Sequence, residues 1–285
     1  MLVRQPAIGD TRLAQGSTLL HVADRDDQKS SRWFRRSKSA ADQSRVAIEL
    51  SNRFAGLPWV FEECNCQYDP SPVRQFHTDT QDTEGEAWQQ LLALIDAAAD
   101  DGREVFAPGA ELPRELWSQI VTLPPSLGNL SAVKQLNLYG SNLVMVPPEI
   151  GKLTSLEDFK PYTSRRLHWF PYEITRCSSL VDSTVSTRNM YGNYKYRTPF
   201  PQLPAELPSG STPDRCSVCN GPLPPSGVIQ AWISLIVATD VLPLLVHSCS
   251  EECIRALPTP ATKKKYLNHP HQGGPELVQP EAEDW

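Results

Sequence analysis

The sequence predicts an α/β solenoid, in which a short array of stacked units follows an N-terminal capping helix and precedes a small metal-bound module of a β-hairpin and a helix. Three observations support this prediction. A segment of the middle third recurs with a period of 23 residues, an amphipathic segment precedes it, and four cysteines follow it in two pairs. Apolar residues that return at a fixed period in the twenties indicate units that stack to bury a shared core.

The recurring segment is clearest at its proline-containing start. Residues 123–130 read Leu-Pro-Pro-Ser-Leu-Gly-Asn-Leu, residues 146–153 read Val-Pro-Pro-Glu-Ile-Gly-Lys-Leu, and residues 170–177 return one residue late as Phe-Pro-Tyr-Glu-Ile-Thr-Arg-Cys. In the first unit, Leu136 and Leu138 alternate as one face of a short strand. The apolar spacing of three residues before that strand favours a helical or 3₁₀ return segment in each unit.

This pattern resembles the L-P-x-x-I-G-x-L-x-x-L form of the leucine-rich-repeat family, found in bacterial and plant proteins, over about residues 112–197. The resemblance implies a concave strand surface that binds another protein. Tyr139 and Tyr162 share one slot of the period, so we expect them to be adjacent rungs. The outward positions flanking the core slots form the expected partner-binding surface: Gln135, Asn137, Tyr139, Asp158, Lys160, Tyr162, Asp182 and Thr184.

Four departures from the family pattern weaken the array, the first being Pro161 in the second apolar strand slot of the second unit. Ser141 occupies the slot that usually carries a ladder asparagine, Cys177 occupies a core leucine slot, and Ser183 occupies an apolar strand slot. About three units are the minimum for a continuous core, and terminal units need covers. We therefore expect other parts of the chain to cover both ends.

The N-terminal cover is expected to be a helix over residues 82–101. Asp82 and Thr83 offer an N-cap and Gly102 offers a stop, and between them apolar residues recur at helical spacing: Trp88, Leu91, Leu92, Leu94 and Ile95. The alternative is a partner-binding helix. A cap over the first unit is favoured because the apolar pattern continues through Leu112 and Ile120 into that unit.

The cysteine pairs lie beyond the units. Cys216 and Cys219 form a C-x2-C pair, and Cys249 and Cys253 form a C-x3-C pair after 29 intervening residues. Two such pairs are typical of a tetrahedral four-cysteine zinc site, which is structural because no ligand position stays open. The pairs resemble the zinc knuckle and the helix-start half of treble-clef zinc fingers. Disulfides are the alternative, and we disfavour them because no apolar signal segment follows Met1.

The longest apolar run covers residues 228–246 and reaches the length of a membrane span. Gln230, Asp240 and Pro243 interrupt it, and a central aspartate is costly in lipid. The β-branched composition favours two strands joined by a turn at Thr239 and Asp240. We therefore expect a cytoplasmic protein with no membrane partner.

Two basic stretches and one further cysteine pair keep other functions open. Residues 29–40 contain five basic residues, and Cys64 and Cys66 with His77 are a weak candidate metal group. Residues 160–200 interleave aromatic side chains with seven basic ones, which suits single-stranded nucleic acid or a protein partner: Lys160, Arg165, Arg166, Arg176, Arg188, Lys195 and Arg197.

The net charge of the chain and the catalytic motifs that its sequence lacks distinguish between these functions. The net charge of −6 argues against bulk attraction to nucleic acid, and no catalytic motif is present in the sequence. We expect a non-catalytic adaptor that binds an unidentified protein partner, with nucleic-acid binding as the alternative. The expected organisation is an irregular leader (1–80), a helical cap with repeats (82–200), a zinc module (210–260) and a flexible tail (261–285).

Overall fold

The computed structural model of the chain describes residues 77–186, 210–261 and 272–274. All of them belong to one compact unit, Ala47–Trp285. Residues 1–76 and 187–209 lie outside the described ranges. The basic stretch 29–40, Cys64 and Cys66 belong to the first of these segments. The described residues form two four-stranded sheets, one parallel and one mixed, with short helices between the strands.

The first helix, α1, spans Glu86–Asp100 and confirms the helix expected over 82–101. It begins four residues later than expected because the Asp82 carboxylate accepts hydrogen bonds from the amides of Glu84 (3.0 Å) and Gly85 (3.1 Å), which forms a turn before the helix. One face of α1 is buried: Ala87, Trp88, Leu91, Ile95 and Ala98. That face joins the hydrophobic core.

Short elements follow α1. They are strand β1 (Val105–Phe106) and helices α2 (Pro108–Glu111) and α3 (Arg114–Trp117). Three 3₁₀ helices then recur along the chain, each beginning at or just after a proline: Pro125–Asn129, Pro148–Lys152 and Tyr172–Arg176. Each buries one apolar side chain at the same relative position, namely Leu127, Ile150 and Ile174. Helix α1 packs against the first of them.

The parallel sheet contains β1, β2 (Gln135–Asn137), β3 (Asp158–Lys160) and β5 (Asp182–Ser183), in that order. Gln135 pairs with Asp158 and Asp158 with Asp182, so successive partners are 23 and 24 residues apart. Leu136 and Phe159 are paired neighbours on the buried face. This register is the one that stacked units of the sequence period require, and the leucine-rich-repeat assignment stays a prediction.

Glycine permits the close approach of the 3₁₀ helices. A Cβ atom on Gly151 would lie 2.6 Å from the carbonyl oxygen of Glu173, a distance at which one of the two helices has to shift. Gly128 is the corresponding residue of the first unit, and its added Cβ would meet the Lys152 side chain at 2.7 Å. The Gly in the I-G-x-L pattern therefore sets the spacing between successive 3₁₀ helices.

The mixed sheet contains β4 (Phe170–Pro171), β6 (Ile229–Val237), β7 (Asp240–Ser248) and β8 (Gln272–Gly273), in the order β4-β7-β6-β8. Strands β6 and β7 form a hairpin that confirms the two strands and the turn expected in the apolar run. Ala238, in the turn, has φ of 52°, the left-handed conformation that tight hairpin turns need. Among the described residues, no helix has the length and apolar character to cross a membrane.

Strand β8 lies within the stretch that the sequence analysis expected to be a flexible tail. Gln272 and Gly273 pair antiparallel with Ile233 and Trp232 of β6. The amide of Ala261 also donates to the carbonyl of Ser234 (2.7 Å). The outer edge of β6 offers backbone groups that need partners, so short pieces of the C-terminal segment bind there.

A single hydrophobic core joins the two sheets. The rings of Phe159 and Phe170 meet edge to face at 5.8 Å, and those of Trp169 and Trp232 meet at 6.3 Å. The second pair connects the repeated segment to the hairpin. The four leucines of the first two units that the period places in apolar slots are buried: Leu130, Leu136, Leu153 and Leu156.

Candidate metal centre and strand surface

The first cysteine pair lies on a tight turn between Arg215 and Pro222, which form an isolated antiparallel bridge. The amide of Cys216 donates to the carbonyl of Gly221 (2.8 Å), and the amide of Asn220 donates to the carbonyl of Cys216 (3.0 Å). Asn220 has φ of 58°, a left-handed conformation that asparagine tolerates. The Gly221 amide donates to the Cys219 sulfur (3.4 Å), so the turn holds this sulfur in place.

The second pair lies where the hairpin meets a helix. Cys249 directly follows β7, and Cys253 lies on helix α4 (Glu251–Arg255). Ser250 caps this helix, because its side chain accepts a hydrogen bond from the Cys253 amide (3.3 Å). The cap fixes the start of α4 and therefore the position of the Cys253 sulfur.

The fold brings the four predicted ligands together. The Sγ atoms of Cys219 and Cys249 are 3.6 Å apart, those of Cys249 and Cys253 are 3.7 Å apart, and all four sulfurs lie within 4.8 Å of one another. Sulfurs at the corners of a tetrahedron around zinc, with bonds of about 2.3 Å, are separated by about 3.8 Å. The cluster can therefore hold a metal ion.

The thiols already differ in acidity. Burial by itself raises the pKa of Cys216, but hydrogen bonds from backbone amides, those of Cys219 and Cys249 first, stabilise the thiolate and bring the pKa to about 6. The pKa of Cys249 is raised to about 12, first by its sulfur hydrogen bond with Cys219. Because neighbouring thiolates repel one another, deprotonation of all four needs a cation among them.

Residues that the sequence analysis did not connect with the cysteines hold the first pair against the rest of the protein. The Arg176 guanidinium donates to the carbonyls of Cys216 (3.1 Å) and Ser217 (3.0 Å). Ser217 also exchanges hydrogen bonds with the backbone of His247, at 2.8 and 2.9 Å. The sequence shows Arg176 only as one of several basic residues, and nothing in its spacing points to these carbonyls.

The turn of the hairpin binds the last strand of the parallel sheet. The amide of Ser183 donates to the Thr239 hydroxyl (3.2 Å), and the amide of Val185 donates to the Asp240 carboxylate (3.0 Å). Burial raises the pKa of Asp240 above its usual range, although the hydrogen bond from Ser183 opposes this. Asp240 was visible in the sequence only as an interruption of the apolar run.

The expected partner-binding residues lie on neighbouring strands or within two residues of their ends, but they differ in exposure. Tyr162 is 46% exposed, Tyr139 and Asp182 are partly buried, and Thr184 is exposed. The Tyr139 and Tyr162 rings lie 6.0 Å apart at an interplanar angle of 38°, which confirms that they are adjacent rungs. These residues form the strand surface: Tyr139, Lys160, Tyr162, Asp182 and Thr184.

The expectation that all eight positions are exposed is wrong for three of them, because Gln135, Asn137 and Asp158 are buried. All three lie on β2 and β3, which have a neighbouring strand on each side. The Asn137 side chain turns back to accept a hydrogen bond from the Tyr139 amide (3.0 Å), and Asp158 forms an ion pair with Lys160 (2.7 Å). These contacts draw the side chains onto the sheet.

The basic residues of 160–200 that the structure describes are largely engaged within the protein. Lys160 pairs with Asp158, Arg166 pairs with Asp79, and Arg176 binds the carbonyls beside Cys216. Arg188, Lys195 and Arg197 lie outside the described residues, as do Cys64 and Cys66. The ring of His77 lies 4.8 Å from that of buried His168.

Comparisons with protein-family models, with curated proteins and with solved structures give no match to this chain. The functional assignment therefore depends on the geometry of the cysteine cluster and of the strand surface.

Proposed function

We propose that this chain is a non-catalytic adaptor of the cytoplasm, which recognises a protein partner through a leucine-rich-repeat surface and is stabilised by structural zinc. The observation that carries the proposal is the Tyr139–Tyr162 pair. Two aromatic rings from equivalent positions lie 6.0 Å apart, and Tyr162 is 46% exposed. Partly exposed tyrosines with few rotatable bonds are common anchors of protein interfaces.

The neighbours of this pair support protein recognition. Asp182 on the neighbouring strand is partly exposed and carries a charge, and exposed Thr184 adds a hydroxyl group. Such a mixture of aromatic, charged and hydroxyl side chains is typical of protein interfaces. Nucleic-acid binding has weaker support, since Lys160, Arg166 and Arg176 are already engaged within the protein.

Zinc is the ion that the cysteine centre fits best. A site of four thiolates selects soft metals, and tetrahedral S₄ coordination is typical of zinc or iron. The four sulfurs lie within 4.8 Å of one another, and four thiolate ligands would fill the coordination sphere of a tetrahedral ion, so no position would stay open for substrate or water and its role would be structural. Helix α4 buries none of its residues, so the ion would supply much of the order of this part of the chain.

An affinity capture followed by binding measurements tests the recognition surface. Proteins retained by the zinc-loaded chain are identified, and the affinity of each purified protein is then measured for this chain and for its Tyr139→Ala/Tyr162→Ala variant. We expect the double change to weaken binding by at least about 2 kcal/mol. Val181→Ala, at a position 71% exposed outside the strand surface, is the matched control.

Two outcomes contradict the proposal. Equal affinity of the double variant and the parent would place the interface elsewhere, for example on residues 188–197. A ligand that proves to be nucleic acid, with an affinity that falls steeply with salt, would favour the alternative function.

A further inference from the structure

The last unit of the repeated segment, residues 170–186, contacts the cysteine-bearing part of the chain at three separate places. We call these residues the third unit. The contacts are spread along the whole β6–β7 hairpin, one at the cysteine end, one in the middle and one at the turn. Nine residues of strand span roughly 30 Å, so the contacts connect distant points.

The contact at the cysteine end is the Arg176 guanidinium, which donates to the carbonyls of Cys216 and Ser217. These carbonyls keep their positions only while the turn around Cys216 and Cys219 keeps its shape. Lys152 is the corresponding residue of the second unit, where it ends the 3₁₀ helix in the same way and is exposed.

The other two contacts bind strands. In the middle of the hairpin, Phe170 and Pro171 of β4 pair with Leu244 and Leu245 of β7. At the turn, Thr239 and Asp240 accept hydrogen bonds from the amides of Ser183 and Val185. The amides of Asp182 and Thr184 donate instead to Glu157 (3.0 Å) and Phe159 (2.9 Å). The hairpin turn thus supplies acceptors on the side of β5 where no further strand lies among the described residues.

We propose that metal binding at the four cysteines controls the order of the third unit, and through it the Asp182 and Thr184 side of the strand surface. This inference rests on the proposed zinc site. Bound metal would fix the turn of Cys216 and the start of α4, a helix that buries none of its own residues. Arg176, which binds the Cys216 turn, and the hairpin, whose turn binds the backbone of Ser183 and Val185, connect the metal site to β5. Loss of metal frees the cysteine end of the hairpin from these restraints.

The effect should be local because the earlier units have independent support. Strand β2 lies between β1 and β3, and the first 3₁₀ helix packs against α1. Neither of these contacts involves the cysteine-bearing segment. Regions with fewer supporting contacts open at lower free energy than the rest of a protein, and hydrogen exchange measures each region separately.

The test is hydrogen exchange, read by mass spectrometry, on the full chain loaded with zinc and on the same chain after chelation. We expect chelation to raise exchange of the amides of residues 181–185 at least about tenfold, with a much smaller change in residues 133–138. Arg176→Ala should keep its zinc but raise exchange in residues 181–185. Arg176→Lys should restore part of the protection, and Lys152→Ala should behave as the parent.

Unchanged exchange in residues 181–185 after chelation would overturn the inference, and so would an equal rise in residues 133–138, which indicates global unfolding. The inference would also be overturned if Arg176→Ala and Lys152→Ala showed the same hydrogen exchange in residues 181–185. No partner is present in this experiment, so its failure is separate from a failure of the proposed recognition function. A chain that binds no zinc when purified would instead refute the zinc site itself.

Discussion

The hydroxyl oxygens of Ser141 and Ser164, 23 residues apart in sequence, lie 2.7 Å apart in the interior. Ser164 donates to the carbonyl of Leu138 (2.9 Å) and accepts from the amide of Ser141 (3.2 Å). In the next unit the Ser186 hydroxyl accepts from the amide of Thr163 (2.8 Å), also 23 residues away. In both cases a serine hydroxyl thus accepts a hydrogen bond from the backbone amide 23 residues before it.

Removal of this hydroxyl should destabilise the protein. Ser164→Ala leaves the Leu138 carbonyl and the Ser141 amide without their partner, which should cost about 1–3 kcal/mol. Urea denaturation of the zinc-loaded chain measures the change in the free energy of unfolding. Ser179→Ala, at an exposed position, is the control. Equal stability of the two variants would show that the hydrogen bonds of the Ser164 hydroxyl do not stabilise the protein.

Truncation of a core leucine should have a larger effect. Leu153 is fully buried, so Leu153→Ala should lower the free energy of unfolding by about 2–5 kcal/mol through lost apolar burial and a residual cavity. Val181→Ala, at a position 71% exposed, should change it by less than about 0.5 kcal/mol. If denaturation gives similar values for both, the assignment of Leu153 to the core is wrong.

The cysteine centre predicts a fixed metal content. The purified chain should contain about one zinc, because four thiolates complete one tetrahedral site. Cys216→Ser and Cys253→Ser should lower this content and the thermal stability. Cys177→Ser should keep the zinc, since the Cys177 thiol is buried in the core and donates to the Ile150 carbonyl (3.2 Å). Elemental analysis measures all four proteins, and an absence of zinc in the parent would refute the site.

Glu173 predicts a pH dependence. Burial raises the pKa of its carboxyl group above the ordinary value of 4.5, more than Ser217 and Arg176 lower it. The folded protein then binds more protons than the unfolded chain above that pH, so this group makes the free energy of unfolding fall as pH rises. Glu173→Gln should therefore stabilise the protein more at pH 7 than at pH 4.

The control for this prediction is Glu149→Gln, at the corresponding position of the second unit, which is only partly buried. Denaturant unfolding at several pH values measures both variants. An effect of Glu173→Gln that is the same at pH 4 and at pH 7 would show that folding does not raise the pKa of this carboxyl group.

Patterns of residue types over short stretches of sequence predicted the features that depend on interactions within those stretches. The alternation in the first unit placed Leu136 and Leu138 on one face of a strand, and both are buried. The two cysteine pairs predicted their own cluster, since chelating spacings of two and three residues leave few other arrangements. The apolar run with its break at Asp240 predicted the hairpin.

Contacts between distant segments could not be predicted from the sequence. The Arg176 bonds to the Cys216 carbonyl span 40 residues, and the Asp240 bond to the Val185 amide spans 55. No local spacing encodes such partners. The burial of Gln135 and Asp158 was missed for a related reason, because strand alternation tells which face a side chain is on and not how closely its neighbours pack around it.

The hairpin turn at Thr239 and Asp240 also limits how this array can lengthen. A parallel strand added beyond β5 would need the amides of Ser183 and Val185, and both are already bound to the turn. Duplication of a unit is therefore tolerated between the first and second units more readily than after the third. Because these amides are already hydrogen-bonded, a strand of a second chain cannot pair with them. This disfavours polymerisation through this edge of the sheet.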